Sequence, residues 1–440
     1  MIKAIKSGDN DNVATLLSFA KKNCEINIFS KNIFIEKIKS KSEVPFGHKI
    51  AITDIRSGSK ILKYNEKIGI AKKRILKGSL VHINEIQSHF DVNNKPIKDK
   101  NYKIKIIDFK KKLKNLLKIH IKNKEIQTVL ENYFLEAQLK NIKSHGIKRL
   151  PLMIKRIQNK SINIEPKIKK KWEGSKLTID ADNTLGHYAM ILAIREIKKN
   201  INKKKTISCI IKRSTHFGYS GYYSSKIADF NCISFVTSNG PSLMSPVGFK
   251  EPIVSNSPLS ISAKIDRNKF FELDLATSVS SRAKIDNDVK SLGVIKENLL
   301  INNKGNPTND IKEFDESFLM PMQNYKGFGL ALGLEVLTGV LSNGPILNEI
   351  KHKDKSNKNK EGVSHFIFAV KGNYKKRIKS LIKIIENSKT QRNTKAQWPG
   401  LKRFMSFKNN LKNNFFIIDE FENRILNNYL WLGIKDQTIL

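Results

Sequence analysis

The chain has 440 residues, enough for two or three domains with cores of their own. Apolar residues make up 39% of it, which excludes wholesale disorder, and no apolar run reaches the length needed to span a bilayer. The net charge is +41, but the lysines are spread over nearly the whole length among Asn and Ile, without an arginine-rich arm or zinc finger. General lysine enrichment therefore explains the charge better than specific nucleic-acid binding, and such a surface would draw in anionic substrates. The start, Met1 to Asp9, lacks the apolar core of a signal peptide, so the cytoplasm is the expected location. Cys24, Cys209 and Cys232 form no CxxC pair, which argues against a disulfide framework or zinc ribbon. Cys209 and Cys232 lie in strand-like runs, where cysteine behaves as a small core residue.

Residues 1–91 read as a small β-rich module. Short apolar stretches (14–17, 26–29, 50–55, 61–64, 67–71 and 80–83) are separated by Gly, Ser, Asn and Asp turn signals. Gly47-His48-Lys49, then Lys63-Tyr64 with Ile68-Gly69, then Val81-His82 occur in one order. This order resembles the N-terminal domain of the altronate/galactarate dehydratase family, also found as the small subunit of sulfolactate sulfo-lyase, and implies a compact β-clip (SAF-like) fold. His48 and His82 are its candidate ligands. The family often has His-x-His-Asn where this chain has His82-Ile83-Asn84-Glu85, and the large lyase domain that normally follows is absent. Two histidines alone do not make a metal site, and no metal is expected. Residues 92–102 are polar, contain Pro96 and read as a linker.

The second domain, 103–440, begins with a lysine-rich helical segment, 109–118. A second helix follows, in which Ile126, Val129, Leu130, Tyr133, Phe134 and Ala137 recur at the spacing of one buried face. After it comes Ser144-His145-Gly146-Ile147-Lys148-Arg149-Leu150-Pro151. Gly146 is expected to stop the helix in the left-handed conformation. The turn would present a serine, a histidine that exchanges protons near neutral pH and an arginine that can clamp a carboxylate with two hydrogen bonds. The bland alternative is a solvated helix end.

Asp180-Ala181-Asp182-Asn183 is a turn into a helix over 188–197, and the run 206–211 is a buried strand. A loop with His216, a helix over 219–229 and a strand over 232–237 complete a βαβ-like unit. In open α/β sheets such a loop is where ligands sit. The Gly-, Pro- and Ser-rich segment 239–258 suggests a structured loop over a site. The strand over 271–278 ends in Asp274, Ala276 and Thr277, an acid and hydroxyls suited to a cofactor's ribose or amide. Tyr325-Lys326-Gly327-Phe328-Gly329 opens an apolar helix whose N-terminus could receive phosphates. A GxGxxG dinucleotide fingerprint is absent from the chain.

Taken together, Ser144-His145-Gly146-x-x-Arg149-Leu150-Pro151, the Asp-x-Asp-Asn turn, His216-Phe217-Gly218, Leu273-Asp274-x-Ala276-Thr277-Ser278 and Tyr325-Lys326-Gly327 resemble the malate/L-lactate dehydrogenase family. That family also holds sulfolactate, ureidoglycolate and diketogulonate oxidoreductases. The resemblance implies a non-Rossmann α/β fold, NAD or NADP, and a homodimer. Carried over by position, His145 and His216 are the candidates for proton transfer, Ser144 would hold the substrate, and Arg149 would clamp its carboxylate. Asp274, Ala276, Thr277, Lys326 and Gly327 fall where the family contacts the dinucleotide. Ser214-Thr215 and Ala181 depart from the usual Ser-Asn and Gly. The expected activity is NAD(P)-dependent interconversion of a 2-hydroxy acid and its 2-oxo acid, with 3-sulfolactate or malate as substrate guesses. The alternatives are lyase small-subunit activity through residues 1–91 with a separate large subunit, and a nucleic-acid binder suggested by charge alone.

Overall fold

The computed structural model describes residues 2–30, 33–63, 66–81, 86–87, 101–351, 360–391 and 394–427. The chain divides into two compact units, Met1–Asp99 with Ser291–Gly293, and Lys100–Lys290 with Val294–Leu440.

The first unit is built of β-strands. A six-stranded sheet runs in the order Ile33–Lys39, Glu25–Ser30, Ile2–Ile5, Val13–Leu16, Lys49–Ala51, Leu80–Val81, and a smaller sheet joins Lys60–Lys63, Glu66–Ala71 and Ile86–Gln87. Two small aliphatic cores fill it, one around Leu16, Ile26, Ile28 and Ile50, the other around Ile55, Ile61 and Ile75. One device recurs. Val44, Ile55 and Ile75 are buried, and three residues after each stands a glycine at positive φ: Gly47 at 75°, Gly58 at 79° and Gly78 at 87°. A glycine turns the chain there without steric cost, so each apolar residue can point inward before the chain reverses. The strands Ile2–Ile5 and Ile33–Lys39 are not among the stretches read from the sequence.

In the second unit a seven-stranded mixed sheet runs Lys169–Glu173, Lys176–Asp180, Thr206–Ser214, Val363–Lys371, Cys232–Ser238, Pro258–Asp266, Lys269–Ala276. The expected βαβ unit forms with a difference. Thr206–Ser214 and Cys232–Ser238 are parallel, but Val363–Lys371 lies between them, antiparallel to both. Its first five residues, Val-Ser-His-Phe-Ile, are all buried, while Phe368 and Val370 farther along are exposed. Helices Lys124–Leu139, Gly186–Lys204 and Ser220–Ala228 cover the sheet and share its main core with Ile179, Cys209, Ile211, Val236 and Ile367. Burial pushes the Cys232 thiol up to about 11 and raises that of Cys209 further, so both are inert packing groups. Tyr102, read as the end of a linker, instead opens the strand Tyr102–Lys105, which pairs with Phe415–Ile418.

Gly146 does not stop the second helix. That helix ends at Leu139, the left-handed residue is Asn141 (φ 57°), and Gly146 sits at φ −80° in extended backbone. Asparagine tolerates the left-handed region because its short amide can bond locally. Gly146 is needed for space instead, since a Cβ there would lie 2.6 Å from Gln138 Oε1.

Several strand ends fall on one edge of the sheet. Ser214 ends beside Val363, Ser238 pairs with His365, and Pro258 pairs with Ala276. The helix Gly186–Lys204 starts under this edge, where a Cβ on Gly186 would stand 2.1 Å from Thr215 O and 2.9 Å from His216 O. Gly186→Ala is therefore expected to cost about 2 kcal/mol or more by forcing helix and loop apart. A urea titration that leaves the unfolding midpoint unchanged would contradict that packing.

Candidate active site

Two loops far apart in sequence meet at this edge. The first follows the Lys124–Leu139 helix and carries Ser144, His145 and Arg149 in two short 3-10 turns (Lys143–His145 and Ile147–Arg149). The second leaves the strand Thr206–Ser214 and carries Thr215, His216 and Gly218. Their histidine rings lie parallel, with centroids 5.7 Å apart and planes 4° from coincidence. His145, Arg149 and His216 line one pocket together with Arg156, His187 and Leu185.

A single tyrosine fastens the two loops. Tyr133, fully buried on the Lys124–Leu139 helix, donates its hydroxyl to His145 O at 3.2 Å and accepts the Tyr219 N–H at 3.0 Å. Burial raises its phenol far above the usual value, so it stays protonated and can donate. Gly218 makes room. Its φ is +87°, and a Cβ there would lie 1.9 Å from the Tyr133 hydroxyl.

The histidines are oriented differently. Nδ1 of His145 stands 2.9 Å from Ser144 Oγ, a hydroxyl that can donate or accept. Nδ1 of His216 accepts the Gly218 N–H at 3.3 Å, and a backbone amide can only donate. That contact favours neutral His216 with its proton on Nε2. The backbone N–H of His216 donates to Glu361 Oε2 at 2.8 Å. Glu361 also pairs with Arg156 at 2.6 Å, and both side chains are buried, at 2% and 4% exposure. Arg149 Nε donates to Ser144 O at 3.0 Å, which aims the guanidinium, and burial lowers its pKa.

Behind the His216 loop lies a third imidazole. His365, fully buried on the central strand, stacks on Phe217 at 4.7 Å. Ser238 donates its proton to Asn239 O at 2.8 Å, so its oxygen accepts from His365 Nδ1 at 2.8 Å. Ser214 can then donate to Nε2 at 2.9 Å. Burial depresses the His365 pKa to about 3, and this ring is a neutral prop.

The residues read as cofactor contacts sit farther along the same edge. Asp274 accepts from Ser220 Oγ at 2.6 Å and Arg403 at 2.7 Å. Arg403 also binds Glu272, and Lys140 links Glu272 to Glu136. Asp274 thus belongs to a partly buried ion chain that braces the strand end. Thr277 O accepts the Met322 N–H at 2.9 Å, and a Cβ on Gly327 would lie 2.7 Å from that oxygen. The helix Tyr325–Glu335, with Lys326 and Gly327 in its first turn, is thereby docked on the strand that ends at Ala276. Thr277 and Ser257 are buried, and neither side-chain hydroxyl has a hydrogen-bond partner among the described residues. Buried hydroxyls are normally satisfied, so this spot suits a polar ligand group.

His48, half-buried in the first unit, has Nδ1 3.2 Å from Phe46 O, and His82 lies outside the described residues. Among the described residues, no cluster of three His, Cys, Asp or Glu could hold a metal. Sequence reading missed Arg156, His187, Glu361 and His365. Arg156 was within reach, since it follows Arg149 by seven residues, two turns along the same helix face. Glu361 gives no local signal, because only the threading of the central strand brings it to His216.

The malate/L-lactate dehydrogenase family model matches residues 104–425, and the altronate/galactarate dehydratase SAF domain model matches residues 2–89. The chain is 30% identical over 319 residues to the malate dehydrogenase of Pyrococcus abyssi, covering 68% of this chain and 85% of that one. It is also 30% identical over 287 residues to the L-sulfolactate dehydrogenase of Methanocaldococcus jannaschii, covering 62% of this chain and 80% of that one. The solved sulfolactate dehydrogenase from M. jannaschii superimposes with a TM-score of 0.68 at 25% identity, over 75% of this chain and 97% of that one. The malate dehydrogenase of Entamoeba histolytica shares the fold, with a TM-score of 0.69 at 22% identity, over 76% of this chain and 98% of that one.

Tyr133→Phe leaves the ring in place but removes the hydroxyl, so the Tyr219 N–H and His145 O lose a partner. The expected cost is about 1–3 kcal/mol, with a larger fractional loss in kcat than in stability. Urea unfolding and steady-state rates measured side by side check this. His365 sets a pH signature. Its folded pKa is depressed from about 6.5 in the unfolded chain to about 3, so its share of the stability is present above pH ~6.5 and lost as pH falls through that window. The melting temperature should drop on acidification from pH ~6.5, and His365→Asn should flatten the drop; equal slopes in both proteins would refute it.

Proposed function

We propose that this chain, which belongs to the malate/L-lactate dehydrogenase family, is a nicotinamide-dependent oxidoreductase that interconverts a small 2-hydroxy acid and its 2-oxo acid, acting as a cytoplasmic homodimer. The observation that carries the reading is the meeting of His145, His216 and Arg149 around one pocket. Arg149 clamps the substrate carboxylate, already aimed by its bond to Ser144 O. Holding the acid in this way removes the positional disorder the reaction would otherwise have to overcome.

His145 is the acid–base. Its Nδ1 partner, the Ser144 hydroxyl, donates to the neutral ring and accepts from the protonated one, so either state is held in place. His145 Nε2 takes the hydroxyl proton of the hydroxy acid and returns it to the oxo acid in reduction. His216, kept neutral by the Gly218 N–H, offers Nε2–H to the same oxygen. Two imidazolium rings at 5.7 Å would repel by about 3 kcal/mol at an effective dielectric of 20, so the pair works with one proton at a time. A bound nicotinamide would supply the hydride acceptor or donor for C2. Ala276, Thr277, Lys326 and Gly327 would hold that cofactor, the Thr277 hydroxyl providing a buried hydrogen-bonding group, while Asp274 braces the strand end. Relatives are named for each form, one for NADP(+) and one for NAD(+), so both nicotinamides enter the test. The names of the relatives make 3-sulfolactate and malate the first substrates to try. Val336 and Val340, about half exposed on the helical segment after Glu335, offer an apolar face for a second copy.

A spectrophotometric screen of oxaloacetate, sulfopyruvate and pyruvate with NADH and NADPH tests the reading. Turnover with at least one pair is expected, and its absence throughout would overturn it. His145→Ala should lower kcat by about 10²–10⁴. Arg149→Lys should act mainly through KM, because an ammonium cannot reproduce the two-point clamp.

A further inference from the structure

The pocket wall holds two arginines. Arg149 caps the helix Leu150–Gln158 and Arg156 lies two turns along it, on the same face with Met153 between them. Seven residues of helix place the two backbones about 10 Å apart, and a four-carbon diacid with one end on Arg149 would point its other end along this wall. Arg156 is almost fully buried, and its guanidinium is paired with the carboxylate of Glu361. The same carboxylate receives the His216 N–H.

We propose that Glu361 is a specificity-determining residue: it masks Arg156, so that the pocket presents one effective guanidinium, Arg149, to the substrate's carboxylate and a neutral pair to the substrate's far end. The inference rests on the dehydrogenase reading and adds to it what sets the charge the pocket accepts. A masked pair at 2.6 Å contributes little field at the far end of the substrate. If Glu361 loses its charge, Arg156 loses that carboxylate's compensation, and a second anionic group on the substrate gains a cation to meet. Glu361→Gln keeps an oxygen that can accept the His216 N–H, so the charge changes while the loop anchor is retained.

The test compares the KM for oxaloacetate, a dianion, with that for pyruvate, a monoanion, in wild type, E361Q, R156Q and the double variant. E361Q should lower the oxaloacetate-to-pyruvate KM ratio by on the order of tenfold or more. R156Q, which leaves Glu361 unmasked, should raise it, and the double variant should return it close to the wild-type value. Equal losses in kcat with an unchanged ratio in all three variants would overturn the proposal and leave the pair purely structural. If E361Q does not fold, R156Q alone reads the same charge with the opposite sign. If wild type turns over no oxo acid, the dehydrogenase reading fails. Thermal shifts with the same two acids then decide the charge question, supporting it if E361Q favours the dianion and refuting it if the order is unchanged.

Discussion

The Tyr133 hydroxyl is the point on which the rest of the site hangs. It is one group with two backbone partners, His145 O on one loop and Tyr219 N–H on the other. Each loop by itself would be a short polar connection with ordinary freedom. Because the hydroxyl is buried, leaving either partner unmet is costly, and the loops are held at one separation. That separation appears as two imidazoles in parallel, with an arginine on the same wall. Glycine at 218 is the local condition for it, since any side chain would occupy the position of the tyrosine oxygen.

The sheet explains why the chain can belong to a dinucleotide-dependent family without the usual glycine fingerprint. In a doubly wound sheet neighbouring parallel strands open a crevice, and a glycine-rich turn lets pyrophosphate approach a helix N-terminus. Here an antiparallel strand occupies the place between the two parallel strands of the crossover. What gathers at the edge instead is a row of strand ends bearing Thr215, Ser238, Ser257 and Thr277, with buried charge pairs behind them.

Much of this was legible in the sequence where the signal is local. The buried face of the Lys124–Leu139 helix, the apolar strands around residues 210 and 235, and the short motif at 144–151 follow from periodicity and residue chemistry. The choice of the two histidines and the arginine came from the order of motifs along the chain and the family they resemble, since the short turn alone reads equally well as a solvated helix end. The misreadings have physical causes. Gly146 was assigned a conformational role when its function is to leave space for Gln138, and Asn141 takes the strained turn. The partner of Asp274 was also out of sight, since Arg403 lies more than a hundred residues later. Glu361 and His365 carry no signal of their own, since their surroundings come from strand pairing across long stretches of chain. In the first unit, the recurring glycine three residues after an aliphatic was visible in the letters, but its meaning needs φ.

The central strand also has a consequence for how the molecule is made. Val363–Lys371 leaves the ribosome after the strands on both sides of it. Until it slots in, His365 has no place under the His216 loop and Glu361 cannot reach that loop's backbone. Completing this sheet therefore requires a long-range insertion rather than a local hairpin, the kind of pairing that contact order makes slow. The His216 loop thus gains its support from Glu361 and His365 only once this strand has closed the gap between its neighbours.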